Sequence, residues 1–209
     1  MNAVEAIGEE TVRVQPGIVR DRLNALLRER GRYFPPDPSN TAITTIGGML
    51  AVDAAGSHSV RVGSTRDHVR GIELVLAGGR VIEAVNQPLS TDEVKTSAAD
   101  IGLTHELQKI LADNEALIVE RQPALIRNCA GYFLRGVLSP RRLHLPRLLV
   151  GSEGTLGLFT SATLHTSPLP AFRGVVLLLF GGLQTAIDAV QVIRKQQPSA
   201  CDLLDRRLL

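Results

Sequence analysis

Hydrophobic and polar positions alternate in several short stretches of this chain and repeat at helical spacing in others. Val12 and Val14 fall on one face between Thr11 and Gln15, and Pro16-Gly17 closes the run, which predicts a short strand and a turn. Val19, Leu23, Leu26 and Leu27 then recur at helical spacing up to Gly31. Tyr33-Phe34-Pro35-Pro36-Asp37-Pro38 reads as irregular, because three prolines remove donors and fix an extended path. Thr44 to Gly56 is dense in small residues and reads as a loop entering a short helix. Ile72, Leu74 and Leu76 alternate, Gly78-Gly79 turns, and Arg80 to Glu83 returns, the pattern of a hairpin.

Further along, Leu103, Leu107, Ile110 and Leu111 mark an amphipathic helix that runs on to Leu117 and Ile118. Leu158, Thr160, Ala162, Leu164 and Thr166 alternate with Phe159, Ser161, Thr163 and His165 as a half-buried strand. Pro168-Leu169-Pro170 reads as a linker. Arg173 to Phe180 reads as a strand, and Ala186, Ile187, Val190 and Ile193 as a helix that Pro198 stops. Strands interspersed with helices, without regular βαβ spacing, predict an α+β fold. The hairpin and the strand at 158–166 would share a mainly antiparallel sheet, covered by helices 19–30 and 103–118. The boundaries expected are 1–167 for a first domain and 168–209 for the beginning of a second, because one strand and one helix do not close a core.

Composition narrows the classes. Aromatics make up 3% of the 209 residues and there is no Trp, so the core must be aliphatic. A net charge of +2, from 23 basic and 21 acidic side chains, gives no basic field for nucleic acid. The first ten residues are acidic and lack an apolar run, unlike a signal peptide, and Val175 to Phe180 is too short to span a bilayer. A cytoplasmic protein is therefore expected. Two cysteines, Cys129 and Cys201, form no iron–sulfur or zinc motif.

The candidate chemistry lies in two glycine clusters. One runs from Thr45-Ile46-Gly47-Gly48-Met49 through Gly56 to Gly63-Ser64-Thr65-Arg66-Asp67; the other is Gly151-Ser152-Glu153-Gly154-Thr155-Leu156-Gly157-Leu158. Glycine lets a ligand touch the backbone with no Cβ in the way, and N–H groups in such loops can face phosphate or carbonyl oxygens. The G-x-x-G-x-x-G spacing is not the dinucleotide fingerprint, and no G-K-[ST] follows either cluster.

Phe34-Pro35-Pro36-Asp37-Pro38-Ser39, Ile46-Gly47-Gly48, Gly63-Ser64-Thr65-Arg66-Asp67-His68-Val69-Arg70-Gly71 and Val150-Gly151-Ser152-Glu153-Gly154-Thr155-Leu156-Gly157 occur in that order. This succession resembles the FAD-linked oxidase family with the vanillyl-alcohol-oxidase, or PCMH-type, FAD-binding domain. That family includes the flavin subunits of glycolate oxidase, D-lactate dehydrogenases and D-2-hydroxyglutarate dehydrogenase. Arg127-Asn128-Cys129-Ala130-Gly131-Tyr132 resembles the long branch in which a flavin half is fused to an iron–sulfur half. The resemblance implies FAD as cofactor and a 2-hydroxy acid as substrate, oxidised by hydride transfer to the flavin. It implies that Pro36 and Asp37 line the flavin cavity and that Ile46, Gly47 and Gly48 approach the pyrophosphate and isoalloxazine edge. Gly63, Ser64 and Asp67 would surround the same site, while Glu153, Gly154, Gly157 and Leu158 would contact the adenosine side.

The departures from the family pattern carry expectations of their own. The family's Arg/Gly-rich pyrophosphate loop precedes the strand matching Thr11 to Gln15, and the ten residues before that strand form no such loop. The substrate-domain histidines and arginine would fall mostly beyond Leu209. The resemblance thus implies the second subdomain of the FAD domain, then the start of an α/β cap domain, and weak FAD binding with no turnover by this chain alone. It names no catalytic residue. The rival reading is a non-catalytic fragment or docking subunit. Arg66-Asp67 reads either as a flavin contact or as a surface ion pair. His58, His68, His105, His144 and His165 have no metal-like spacing and read as solvated or satisfied side chains, and Cys129 as a buried apolar one.

Overall fold

A computed structural model describes residues 1–89, 98–122, 125, 130–205 and 207. The segment Arg127-Asn128-Cys129 of the branch motif therefore lies outside the described residues. The main sheet contains β1 (Val4–Ile7), β2 (Thr11–Val14), β4 (Val69–Val75), β5 (Val81–Pro88), β6 (Arg142–His144) and β7 (Leu158–His165), in the order β1-β2-β7-β4-β5-β6. Every pairing is antiparallel. The predicted hairpin is β4–β5, with Gly71 opposite Val85 and Val75 opposite Val81. β7 inserts between β2 and β4, so the strand predicted at 158–166 occupies the middle of the sheet.

Alternation decides the two faces. Val12 and Val14 of β2, Ile72 and Leu74 of β4, Ala84 of β5, and Ala162 and Leu164 of β7 turn inward and are buried. On the outer face Arg13 pairs with Glu5, Glu73 and Glu83 at 3.1, 3.2 and 2.8 Å, tying four strands of the sheet with one guanidinium. The inner face packs against α1 (Arg20–Arg28), through Leu23 and Leu27, and α2 (Ile46–Val52), through Ile46, Met49 and Leu50. Burying side chains of this size stabilises by roughly 1.5–3 kcal/mol each before entropy is counted.

The proline segment is held by side chains where the backbone has lost its donors. Asn24, buried on α1, accepts from Phe34 N–H at 2.7 Å and donates to Phe34 O at 3.2 Å. Arg20 Nε donates to Pro36 O at 3.0 Å. Phe34 is thereby seated, fully buried, in the main core.

Four expectations need correction. Tyr33 and Pro168 are not purely irregular: β3 (Arg32–Tyr33) pairs antiparallel with β8 (Ser167–Pro168), a long-range pairing that local composition does not encode. The helix expected at 103–118 is two helices, α4 (Ala98–Asp113) and α5 (Glu115–Arg121), broken at Asn114. They serve a second cluster, where Leu111 packs with Val137, Leu143 and Leu148 and Ile118 lies against it, rather than covering the central strands. Finally, Arg173 to Phe180 is not a strand. Its residues have β-type side chains but, among the described residues, no neighbouring strand to receive their backbone hydrogen bonds, and a ladder cannot form from one side. The helix that follows it is α7 (Leu183–Ile193), as expected.

Candidate functional site

The two glycine clusters meet at the C-terminal end of α2. Gly151 N–H donates to Leu50 O at 2.8 Å and Glu153 N–H to Ala51 O at 2.9 Å, so the 150–154 loop takes up carbonyls that the end of a helix leaves unpaired. Asp53 caps α2 in the left-handed conformation, at φ 50°. Its carboxylate accepts from Arg66 N–H at 2.9 Å and pairs with the Arg66 guanidinium at 2.8 Å; the side chains are 1% and 4% exposed. Arg66 Nη2 donates to Val150 O at 2.7 Å and Nε to Arg147 O at 3.1 Å, and the guanidinium lies 4.2 Å from the Phe133 ring centroid. One buried guanidinium therefore joins α2, the turn Thr65–His68, α6 (Leu145–Leu149) and the second glycine loop. Arg66 is neither a surface pair with Asp67 nor exposed to a ligand.

The remaining candidates divide by what they have left to offer. Asp67 and Ser64 form a capping box on the turn Thr65–His68, and a Cβ at Gly63, which has φ +78°, would sit 2.3 Å from the Asp67 carboxylate. These three residues are accounted for by the turn itself. Ile46 is fully buried in the core. The N–H groups of Ile46, Gly47 and Gly48 already donate to Ile18 O, Pro16 O and Thr45 Oγ1, at 2.9, 2.7 and 3.2 Å. A pyrophosphate held by these three amides, as a glycine loop would hold it, does not fit. Gly157 packs against Leu74 and Val75, where a Cβ would come within 2.9 Å of both.

What stays open is a surface without side chains. Gly48 is exposed on α2, and a Cβ there would meet only Thr45 Oγ1, at 3.3 Å. Gly154 is exposed at φ +77° with nothing within 4 Å of an added Cβ, and its N–H has no acceptor among the described residues. Glu153 and Leu158 flank it, both exposed. Pro36 is buried; Asp37 is half-buried, with Oδ1 enclosed and lacking a hydrogen-bond partner among the described residues. The exposed edges of Gly48 and Gly154 carry no side chain that would keep a ligand from the backbone.

Residues 1–84 match the model of an FAD binding domain. Over those residues the chain is similar to the FAD-binding domain of FAD-linked oxidases. The chain is 34% identical, over its whole length, to D-2-hydroxyglutarate dehydrogenase of Pantoea ananatis, and spans 21% of that protein. It is 29% identical to glycolate oxidase subunit GlcD of Bacillus subtilis, again over the whole chain, and spans 35% of it. Among solved structures, alkyldihydroxyacetonephosphate synthase superposes on 96% of the chain with a TM-score of 0.60 at 20% identity, which supports the fold alone. The chain thus spans between about a fifth and a third of the length of these relatives.

The histidines differ from the sequence reading. His68 is buried, donates from Nε2 to Val62 O at 2.8 Å, and has no partner at Nδ1 among the described residues. Its ring stacks near His165, with centroids 6.4 Å apart. Burial holds His68 below its ordinary value; burial, with nearby arginines, does the same for His144 and His165. Above about pH 6.5 these imidazoles are neutral in both folded and unfolded chains. As pH falls through that value the unfolded chain takes up protons that the fold resists, so stability drops with acidification and levels off below the folded-state values. The urea midpoint should therefore decline from about pH 7.5 to about pH 5, and His68→Phe should flatten part of that decline. An unchanged slope in the variant would remove His68 from the account.

Among the described residues, no group of His, Cys, Asp and Glu could hold a metal ion, and no helix is long and apolar enough to cross a membrane. The contact that sequence reasoning missed is His58 with Asp37, in which Nδ1 meets Oδ2. The two stand 21 positions apart on unrelated elements, and nothing local signals the pairing.

Proposed function

We propose that this FAD-binding domain serves a flavin-dependent dehydrogenase or oxidase of 2-hydroxy acids, of the D-2-hydroxyglutarate, glycolate or D-lactate type. The observation that carries the reading is the joining of α2 to the 150–154 loop, which sets the side-chain-free edges of Gly48 and Gly154 on connected elements. FAD, when bound, supplies the hydride acceptor for the carbon that bears the hydroxyl. The chain's own part is to bind and orient. Pro36 and Asp37 would form the wall toward the ring, and Gly48 the close approach to it. Glu153, Gly154, Gly157 and Leu158 would face the adenosine side, with the free Gly154 N–H as a donor. Gly47, Gly63, Ser64 and Asp67 would shape the backbone around the site, and Ile46 would anchor α2 beneath it. The FAD-binding part would extend over 1–167, and 168–209 would open the substrate domain.

Gly48→Leu tests this reading. The backbone at Gly48 is helical and an added Cβ would meet only the Thr45 side-chain oxygen, at 3.3 Å, which can shift by a few tenths of an ångström, so the fold should tolerate the substitution, and replacing a helical glycine favours the helix by up to about 1 kcal/mol. Saturable quenching of FAD fluorescence by the unaltered chain, weakened about tenfold or more by Gly48→Leu, a change of about 1.4 kcal/mol, is the expected result. Equal affinity in the two proteins would move the cofactor elsewhere. No saturable quenching at all would favour the second reading, a domain that does not bind FAD on its own, to which the occupied amides of Ile46, Gly47 and Gly48 lend support.

A further inference from the structure

Two tyrosines, five phenylalanines and no tryptophan supply the aromatic side chains of this protein. Phe34 is sealed in the main core and Phe159 packs against it. Phe133 packs against the second cluster, with the Arg66 guanidinium 4.2 Å and that of Arg147 5.3 Å from its ring centroid. The helices within the first glycine cluster, α2 and α3 (Ser59–Val62), contain no aromatic residue. Tyr132 is placed differently. It is 42% exposed, and its hydroxyl lies 2.7 Å from Oγ1 of Thr155, the residue after Gly154 in the second glycine loop.

The polarity of that contact is fixed by its neighbour. The single Thr155 hydroxyl proton goes to Ser152 O, at 2.5 Å, so Tyr132 O–H donates to Thr155 Oγ1. The backbone of the residue is held too. Gln122 Nε2 donates to Tyr132 O at 3.0 Å, and Gln122 Oε1 accepts from Leu134 and Arg135 N–H at 3.0 and 2.5 Å. Next in the chain, Phe133 lies against Arg66, the guanidinium that also holds Val150 O. A ring tied at its hydroxyl and at its backbone loses little freedom when a ligand stacks on it. At the same loop the Gly154 N–H has no acceptor and the Glu153 carboxylate no donor among the described residues, and both residues are exposed.

We propose that Tyr132 is a nucleotide-binding residue of the second glycine loop, its ring stacking on an adenine whose edge meets Gly154 N–H and the Glu153 carboxylate. This rests on the reading of Glu153 and Gly154 as the adenosine side of the ligand. Adenine carries an exocyclic amine beside a ring nitrogen that accepts, which complements a carboxylate beside an N–H. An isoalloxazine ring carries one N–H between two carbonyls, and a neighbouring carboxylate repels those oxygens. Stacking on an aromatic side chain gives affinity for any base, because every base has a π face; the polar edge makes the choice among bases.

The test uses the full chain labelled with 3-fluorotyrosine. Fluorine magnetic resonance should show two signals, from Tyr33 and Tyr132, which Tyr33→Phe assigns. Titration with ADP at millimolar concentration should move the Tyr132 signal saturably and leave that of Tyr33, in β3, where it is; FMN should move neither. Inosine diphosphate, with a carbonyl in place of the amine, should bind at least about tenfold more weakly than ADP, a difference of about 1.4 kcal/mol. By calorimetry Tyr132→Leu should lose about tenfold or more in ADP affinity, and Tyr132→Phe, which keeps the ring, should stay within about threefold of the parent. A Tyr132 signal unmoved by ADP, or moved by FMN instead, overturns the proposal, and both readings use the unaltered side chain. A phenylalanine variant as weak as the leucine one overturns it too, because Tyr132 would then act only through its bond to Thr155. The flavin reading fails separately: if Gly48→Leu leaves FAD quenching untouched while ADP moves Tyr132, the placement of the ring at Gly48 is lost and this proposal stands. Normal FAD quenching with Tyr132 unmoved by ADP overturns this proposal alone.

Discussion

Arg66→Ala should unfold this domain or bring it close to unfolding. The substitution leaves the Asp53 carboxylate buried without its counter-charge and strips hydrogen bonds from Val150 O and Arg147 O. Breaking a buried pair by removing one partner costs about 3–5 kcal/mol, against a total stability of about 5–15 kcal/mol for an ordinary domain. The loss is concentrated because four segments converge on one guanidinium, which ties the 147–151 loop to the turn Thr65–His68. Urea unfolding followed by circular dichroism measures it. Asp53→Asn should cost less than Arg66→Ala, since the amide oxygen can still accept from Arg66 N–H and the guanidinium keeps two carbonyl partners. Arg66→Lys should fall near the alanine variant, because an ammonium lacks the planar fork that reaches a carboxylate and two carbonyls at once. Unfolding of Arg66→Ala at the same urea concentration as the parent would show that the pair contributes nothing net to stability.

The chain should also self-associate, through the segment between Phe172 and Phe180. Phe172, Val175 and Leu179 are 94, 97 and 80% exposed, and Val176 and Leu177 lie open beside them. The backbone there is in no ladder, and no charge falls between Gly174 and Gly182 to oppose pairing with an identical segment. An apolar stretch of high strand propensity with unpaired backbone groups is a template for edge-to-edge association. Gel filtration with light scattering should give a mass above the 22.5 kDa of one chain at high micromolar concentration. Leu177→Lys with Leu179→Lys should return the protein to a monomer without lowering its urea midpoint, since neither side chain is buried. A monodisperse parent would show that the segment is covered from within the chain.

Element positions were legible because they rest on local periodicity. The strands at Thr11–Val14 and Leu158–His165, the alternation of Ile72 with Leu74 in the hairpin, the helix over Leu23 and Leu27, and the short helix opening at Ile46 all follow from spacings of two or of three to four residues. The same rule failed at Arg173 to Phe180, where apolar residues with strand propensity met no partner. Propensity describes how a residue fits a sheet and does not supply the sheet.

The family and its cofactor were legible too, from the order of the glycine and proline motifs; the roles of the motif residues were not. Arg66 and Gly63 sit in a motif that reads as ligand-binding, yet the fold uses Arg66 as an internal tie and Gly63 to make room for the Asp67 cap. Gly47 reads like Gly48, but its N–H is spent on Pro16 O while Gly48 presents an open face. Those differences, the insertion of β7 between β2 and β4, and the meeting of Asp37 with His58 all depend on which distant segments come together. By itself the sequence determined the local elements, the aliphatic core and the class of ligand, because each is encoded in residue types at short spacing. Only the tertiary structure decided which amides, carboxylates and imidazoles remain available for chemistry, because a polar group's availability is whatever its long-range hydrogen bonds have not already taken.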